Sequence, residues 1–269
     1  MAGAQCCENP PALSSASGQG SVVESIGGLK AYTAGSSNSK AAVVLVSDVY
    51  GYEAPNLRYD DPKCELVSMD LNVARQQVHH LEMLLPDRKL ADKVAAAGFF
   101  VVVPDFFYGD PYAPNPEKPV MMWLENHGTD KGFEDAKSVI EYLKSKGIEA
   151  IGAAGFCWGG KVVTELAKTD YVKAVVMLHP SMVKLDDITE IKRPTSILAA
   201  ETDSITPAEL VKQFEEILST KTEVDSFVKI FAGAAHGWTV RYDTNNEAAV
   251  AKAEEAHKDL MDWFHKYLK

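Results

Sequence analysis

Between Glu149 and Lys168 the chain reads Glu-Ala-Ile-Gly-Ala-Ala-Gly-Phe-Cys-Trp-Gly-Gly-Lys-Val-Val-Thr-Glu-Leu-Ala-Lys, and few folds accommodate such a stretch. Residues 149–154 have the character of a short buried strand. Lys161 to Lys168 reads as a helix, with Val162, Leu166 and the Val163/Ala167 pair at helical spacing. Cys157 stands between them, with Gly155 two residues before it and Gly159 two after. A nucleophile at the apex of a strand–turn–helix needs small flanking residues, because larger side chains would collide with so tight a backbone. The helix that follows would aim its positive end at the sulfur and favour thiolate. The plainer alternative is a structural cysteine in a Gly-rich turn.

The rest of the chain repeats the same alternation. A hairpin over 21–34 turning at Gly27-Gly28 is followed by strands at 41–47, 99–103, 149–154, 171–178, 194–200 and 224–231. Helices are expected at 131–146 and at 247–267, the latter with Val250, Ala253, His257, Leu260, Phe264 and Tyr267 on one face. This pattern predicts an α/β fold with a mostly parallel, doubly wound sheet flanked by helices. Residues 1–20, rich in Pro, Ser, Gly and Ala, are expected to form a flexible arm, and 21–269 a single domain. The formal charge of −11 without a basic cluster argues against nucleic acid or an anionic membrane as partner. No apolar run spans a bilayer and no secretory signal is evident. The four cysteines, Cys6, Cys7, Cys64 and Cys157, have neither disulfide-framework nor zinc spacing. The cytosol is the expected compartment. His79-His80 lacks further ligands, so no metal or cofactor is expected.

Chemistry gathers just after the apolar strands, which is the ligand-binding edge of an open α/β sheet. Asp48 follows the first central strand, Cys157 the elbow strand, Asp203 the strand at 194–200 and His236 the last strand. Cys157, Asp203 and His236 occur in the nucleophile–acid–histidine order of α/β-hydrolases. The cysteine attacks as thiolate, the histidine moves its proton, and the aspartate fixes the imidazole tautomer. Each has a duller alternative. Asp203 could simply cap the helix beginning near Thr206-Pro207, and His236 could be a loop histidine. His127, His257 and His265 read as surface or helix-face residues.

With these residues in view, the chain resembles the dienelactone hydrolase family, the cysteine branch of the α/β-hydrolases. The resemblance rests on Gly155-Phe-Cys-Trp-Gly-Gly160, Pro104-Asp105-Phe106 with its aromatic sequel, Asp203 after its strand, and Ala235-His236-Gly237. The Cys-Cys-Glu-Asn-Pro-Pro start and the Asp48-Val-Tyr-Gly51 loop look like plant members. The resemblance implies the α/β-hydrolase fold, Cys157 as nucleophile, His236 as base and Asp203 as orienting acid. It also implies an oxyanion hole from the backbone N–H groups of Trp158 and Val49. In bacterial members a glutamate after the first central strand contacts the resting nucleophile. Here that position is Asp48, one methylene shorter, with Glu53 as the other candidate. Arg241 is the counterpart of an arginine that binds substrate carboxylate. Tyr108, Tyr112, Trp158 and Trp238 suggest an aromatic-walled pocket for a small ester or lactone.

One segment departs from the pattern. More than fifty residues separate the strands at 41–47 and 99–103, more than a βαβ crossover needs, and the resemblance marks about thirty of them, 59–88, as additional. Val67, Leu71, Ala74, Val78, Leu81 and Leu85 predict an amphipathic helix that Pro86 ends. This segment reads as an insertion, either an ordered lid or a poorly ordered accident. The expected activity is hydrolysis of small esters or lactones through an acyl-cysteine. A non-catalytic or redox-sensing protein on the same fold is the first alternative. The second follows from the resemblance, because some plant relatives carry a 1,3;1,4-β-glucanase name.

Overall fold

The computed structural model describes residues 20–54, 57, 90–115 and 117–269. Of the expected arm, only Gly20 is among them, and the 59–88 segment with its expected helix lies outside them.

Eight strands form one sheet: β1 (Ser21–Ile26), β2 (Leu29–Ala34), β3 (Ala41–Val46), β4 (Phe100–Pro104), β5 (Ala150–Phe156), β6 (Ala174–Leu178), β7 (Thr195–Thr202) and β8 (Ser226–Ala235). Their order is β1-β2-β4-β3-β5-β6-β7-β8. β1, β2 and β4 pair antiparallel in turn, and every other pairing is parallel. The hairpin turns at Gly27-Gly28 as expected, with Ile26 opposite Leu29. Strands β3 and β6 are buried at every position, the signature of central strands covered on both faces.

The covering helices are α1 (Leu90–Ala96), α2 (Val120–Leu124), α3 (Thr129–Ser145), α4 (Trp158–Ala167), α5 (Leu185–Thr189), α6 (Ala208–Ser219) and α7 (Glu247–Leu268). Along α7, Ala253, His257, Leu260 and Phe264 are buried on the sheet side, while Val250 and Tyr267 are only partly covered. His257 therefore takes the apolar helix face expected for it and not the surface. It is wholly buried, and its Nε2 lies 2.9 Å from the Thr239 carbonyl. That bond supplies the polar partner a buried imidazole needs.

Register decides what the sheet brings together. Val46 pairs with Gly155, Phe156 with Leu178, and Leu178 with Leu198. At the far side the β7–β8 ladder shifts after Ala200, so that Thr202 pairs with Ala235. The last strand consequently runs four residues beyond its expected end at Phe231. The residues that follow these pairs, Asp48, Cys157, His179, Asp203 and His236, all emerge at the same C-terminal edge of the sheet.

Candidate active site

Cys157 has φ 50° and ψ −109°, a conformation that costs an L-residue energy and marks a backbone held in place by its surroundings. Three backbone hydrogen bonds hold it. Its N–H donates to Leu178 O (3.2 Å), and its own carbonyl accepts from Gly160 N (2.9 Å) and Ser181 N (3.0 Å). The flanking glycines are sterically required. A Cβ on Gly155 would lie 2.1 Å from Gly159 O, and one on Gly159 would lie 2.1 Å from Val46 O. The sulfur is buried at the N-terminal end of α4, where the helix dipole favours negative charge.

Asp203 and His236, one residue beyond the Thr202–Ala235 pair, meet across the β7–β8 edge. His236 Nδ1 donates to Asp203 Oδ2 at 2.7 Å, and both side chains are buried. Asp203 Oδ1 accepts from the backbone N–H groups of Ile205 (2.8 Å) and Thr206 (3.2 Å). Those amides lie in the turn before α6, whose N-cap is Pro207 without a side-chain cap, so the capping alternative does not hold for Asp203. His236 Nε2 is buried on the side of Cys157, whose charge and hydrogen bond both act on the imidazole. Burial pushes the imidazole pKa down. The Cys157 charge and the hydrogen bond and charge of Asp203 outweigh it and raise the pKa to about 9.

Asp48 and Arg241 form a second buried pair, Nε to Oδ2 at 3.3 Å, with side chains 2% and 1% exposed. The guanidinium also stands 5.5 Å over the Tyr50 ring. Burial raises the Asp48 pKa to about 6, Arg241 opposes that rise, and the Cys157 charge adds to it. Of the two acidic candidates, then, Asp48 is the one coupled to the sulfur. Glu53 is exposed, and its charge is felt at Asp105. Asp48→Asn removes a negative charge near the sulfur and releases the Arg241 cation, and both changes favour thiolate. Alkylation of Cys157 by iodoacetamide, followed against pH, is expected to shift to lower pH in this variant.

The aromatic residues divide. Trp158 packs against Phe106 (5.9 Å between ring centroids) and Phe107 (4.9 Å), and its Nε1 donates to His127 O at 2.9 Å. Trp238 is buried against His179 (5.4 Å) and Phe231 (5.2 Å). Tyr112 N donates to Val49 O at 2.8 Å, docking the aromatic loop on the loop after β3. Neither the Val49 nor the Trp158 backbone N–H donates a hydrogen bond to another described residue. Tyr108 is not brought to this cluster. It is 59% exposed, with its hydroxyl held by Asp135 and Lys131, and it lines a separate surface cleft with Lys30, Tyr52, Asp105 and Gly109.

Two neighbours of the cluster are not among the site residues expected from sequence: His179, whose ring centroid is 5.0 Å from that of His236, and Ser181, whose Oγ is 3.7 Å from Cys157 Sγ. The signal available was His-Pro-Ser directly after a buried strand on the ligand-binding edge. Among the described residues no group of histidine, cysteine and acidic side chains is arranged to hold a metal, and no helix is long and apolar enough to cross a membrane.

Comparison with known proteins sets this geometry in context. The chain is 41% identical to a maize endo-1,3;1,4-beta-D-glucanase over 225 residues, covering 82% of this chain and 63% of the maize protein's length. It is 30% identical to a carboxymethylenebutenolidase homolog of Xenopus tropicalis over 237 residues, 86% of this chain and 84% of that protein. A dienelactone hydrolase structure from Anabaena variabilis superposes with a TM-score of 0.59, covering 93% of this chain and 99% of that one. At 14% identity it speaks for the fold alone. The model of the dienelactone hydrolase family matches residues 85–268, well over half of the sequence, and with an α/β-hydrolase sheet of this order and register the chain belongs to the dienelactone hydrolase family.

Proposed function

We propose that this protein hydrolyses small esters or lactones through a covalent acyl-cysteine, with Cys157 as nucleophile, His236 as general base and acid, and Asp203 as the group that orients the imidazole. The observation that carries the reading is the 2.7 Å Asp203–His236 bond, which turns the other ring nitrogen toward a cysteine on a strained strand-to-helix turn.

The chemistry follows from the charges. In this reading the sulfur is thiolate, its charge is the main influence raising the His236 pKa to about 9, and the ring is imidazolium at neutral pH. The thiolate attacks the carbonyl carbon, forming a C–S bond and an oxyanion, which the N–H groups of Val49 and Trp158 receive. Hydrogen-bond donors of that kind typically contribute about 3 kcal/mol each to lowering a barrier. As the ester C–O bond breaks, His236 gives its proton to the departing oxygen. It then takes a proton from water, the resulting hydroxide attacks the thioester, and the thiolate leaves. In this scheme the Asp48–Arg241 pair is where a substrate carboxylate would bind, by displacing Asp48 from the guanidinium.

The working form needs the ring protonated, a state complete below about pH 8 and lost as pH rises through about 9. kcat/KM for an aryl ester is therefore expected to fall on an alkaline limb near that value. Asp203→Asn removes an influence that holds the imidazole pKa up, so the limb should move toward neutral pH as overall turnover drops. A limb that stays in place would argue against the assigned role of Asp203.

The direct test is a turnover screen over lactones and aryl esters, with and without iodoacetamide. Turnover that survives alkylation of Cys157 would end the proposal. The name of the maize relative supports a second reading, cleavage of mixed-linkage β-glucan. Glycoside hydrolysis normally uses two carboxyl groups flanking one bond. Asp48 is committed to Arg241, which leaves Asp105 in the surface cleft and Glu53, whose charge acts on it, as the pair to test. Glucan hydrolysis retained in Cys157→Ala and lost in Asp105→Asn would favour that reading over the ester.

A further inference from the structure

The segment after β6, His179-Pro180-Ser181, touches Cys157 and His236 and is tied to Asp203 through Thr206. Ser181 N donates to the Cys157 carbonyl at 3.0 Å, and Ser181 Oγ stands 3.7 Å from Cys157 Sγ, with both residues fully buried. Pro180 packs so closely on α4 that a Cβ on Gly160 would come within 2.7 Å of its ring. The Pro180 carbonyl accepts from Thr206 Oγ1 at 2.7 Å, and the backbone N–H of the same threonine donates to Asp203. The His179 ring lies edge-on to His236, while its Nε2 is fixed 2.8 Å from Thr239 Oγ1. His179 and Met182, on either side of Pro180-Ser181, have φ values of 37° and 60°. Left-handed conformations at two non-glycine residues so close together are a costly way to run a connection. They persist where the surroundings impose them, commonly at functional sites.

That backbone delivers one polar atom to the sulfur. A serine hydroxyl carries a single proton, and burial leaves it no water to spend it on. Among the described residues the only hydrogen-bond partner of Ser181 Oγ is Cys157 Sγ. Against a neutral thiol such a contact is weak, and either atom can donate. Against a thiolate the hydroxyl becomes the donor, and the bond strengthens because its acceptor is charged.

We propose that Ser181 is a catalytic residue whose hydroxyl donates to the Cys157 thiolate, stabilising it in the resting enzyme and again as the leaving group when the thioester is hydrolysed. This role rests on Cys157 being the nucleophile. His236 and the dipole of α4 act on the sulfur from other sides, so Ser181 adjusts the thiolate population without creating it. The remaining residues of the segment hold that hydroxyl in place.

The test follows the peptide containing Cys157 by mass spectrometry during iodoacetamide alkylation of the full chain at a series of pH values, for wild type, Ser181→Ala and Ser181→Thr. Aryl-ester kinetics are measured on the same preparations. Ser181→Ala is expected to raise the alkylation midpoint by about one pH unit, slowing alkylation about ten-fold below it. It should also lower kcat about ten-fold with KM little changed, and Ser181→Thr, which keeps the hydroxyl, should restore both. An alkylation profile for Ser181→Ala that overlies wild type while turnover still depends on Cys157 would overturn the role of Ser181 alone. Equal losses in the alanine and threonine variants would also overturn it, since packing would then account for the effect. Ester turnover that survives Cys157→Ala would overturn both this role and the acyl-cysteine reading beneath it.

Discussion

Turnover of an aryl ester is expected to fall by about 10⁴-fold or more when Cys157 is replaced by serine, and by a similar factor in His236→Ala. A hydroxyl is smaller than a thiol and resists ionisation far more strongly, but the loss has a second source. Much of what raises the His236 pKa to about 9 is the charge on the sulfur. With a neutral serine in its place, burial dominates and the imidazole pKa falls, so the ring no longer carries a proton to give the leaving group. The two side chains act as one unit, and the double variant should be little worse than either single one. Steady-state kinetics on one ester with all three proteins decides the matter. Losses that multiply in the double variant would mean that the two residues act independently. The same experiment separates the redox-sensing alternative, because a sensor would keep its alkylatable thiol without the histidine and would turn over no ester.

Gly159→Ala is expected to be strongly damaging for a change of one methyl. The new Cβ would sit 2.1 Å from Val46 O and 2.8 Å from Ser47 O, both backbone atoms that cannot swing aside. Either the start of α4 moves away from β3 or the loop carrying Asp48 and Val49 shifts. Overpacking against rigid backbone costs about 3 kcal/mol, which corresponds to a Tm lower by roughly 6–12 °C for a domain near this size. Whatever stability survives, the distance from Val49 to the nucleophile changes, so turnover should fall as well. Thermal melts and ester kinetics on the purified variant measure both, and wild-type values for the two together would refute the steric argument.

Much of this architecture was open to reading from residue order. Apolar runs too short for a membrane and alternating with helical periodicity gave the parallel sheet. Asp48, Cys157, Asp203 and His236 could be placed on one edge because each follows such a run. Three things escaped, for different physical reasons. The shift after Ala200 that sets Thr202 opposite Ala235 is an irregularity of pairing, and the alternation of side chains along either strand does not encode it. The partner of His257, the Thr239 carbonyl, comes from another part of the chain, and no local pattern announces it. Tyr108 was expected at the pocket because its neighbours are aromatic, yet a turn with φ 55° at that residue sends it to Lys131 and Asp135 at the surface. Asp203 takes two turn amides on one oxygen and the imidazole on the other, while the helix that follows begins at Pro207 without a side-chain cap.

The bond from His257 to Thr239 gives the end of the chain an office that helix propensity alone would not assign it. Thr239 lies three residues beyond His236, and its hydroxyl and its carbonyl are gripped from opposite directions, by β6 through His179 and by α7 through His257. The closing helix is in effect the keel of the loop that carries the base. Trimming it away would set that imidazole adrift and would also uncover β5, the strand that carries Cys157, where Gly152 lies against Phe264.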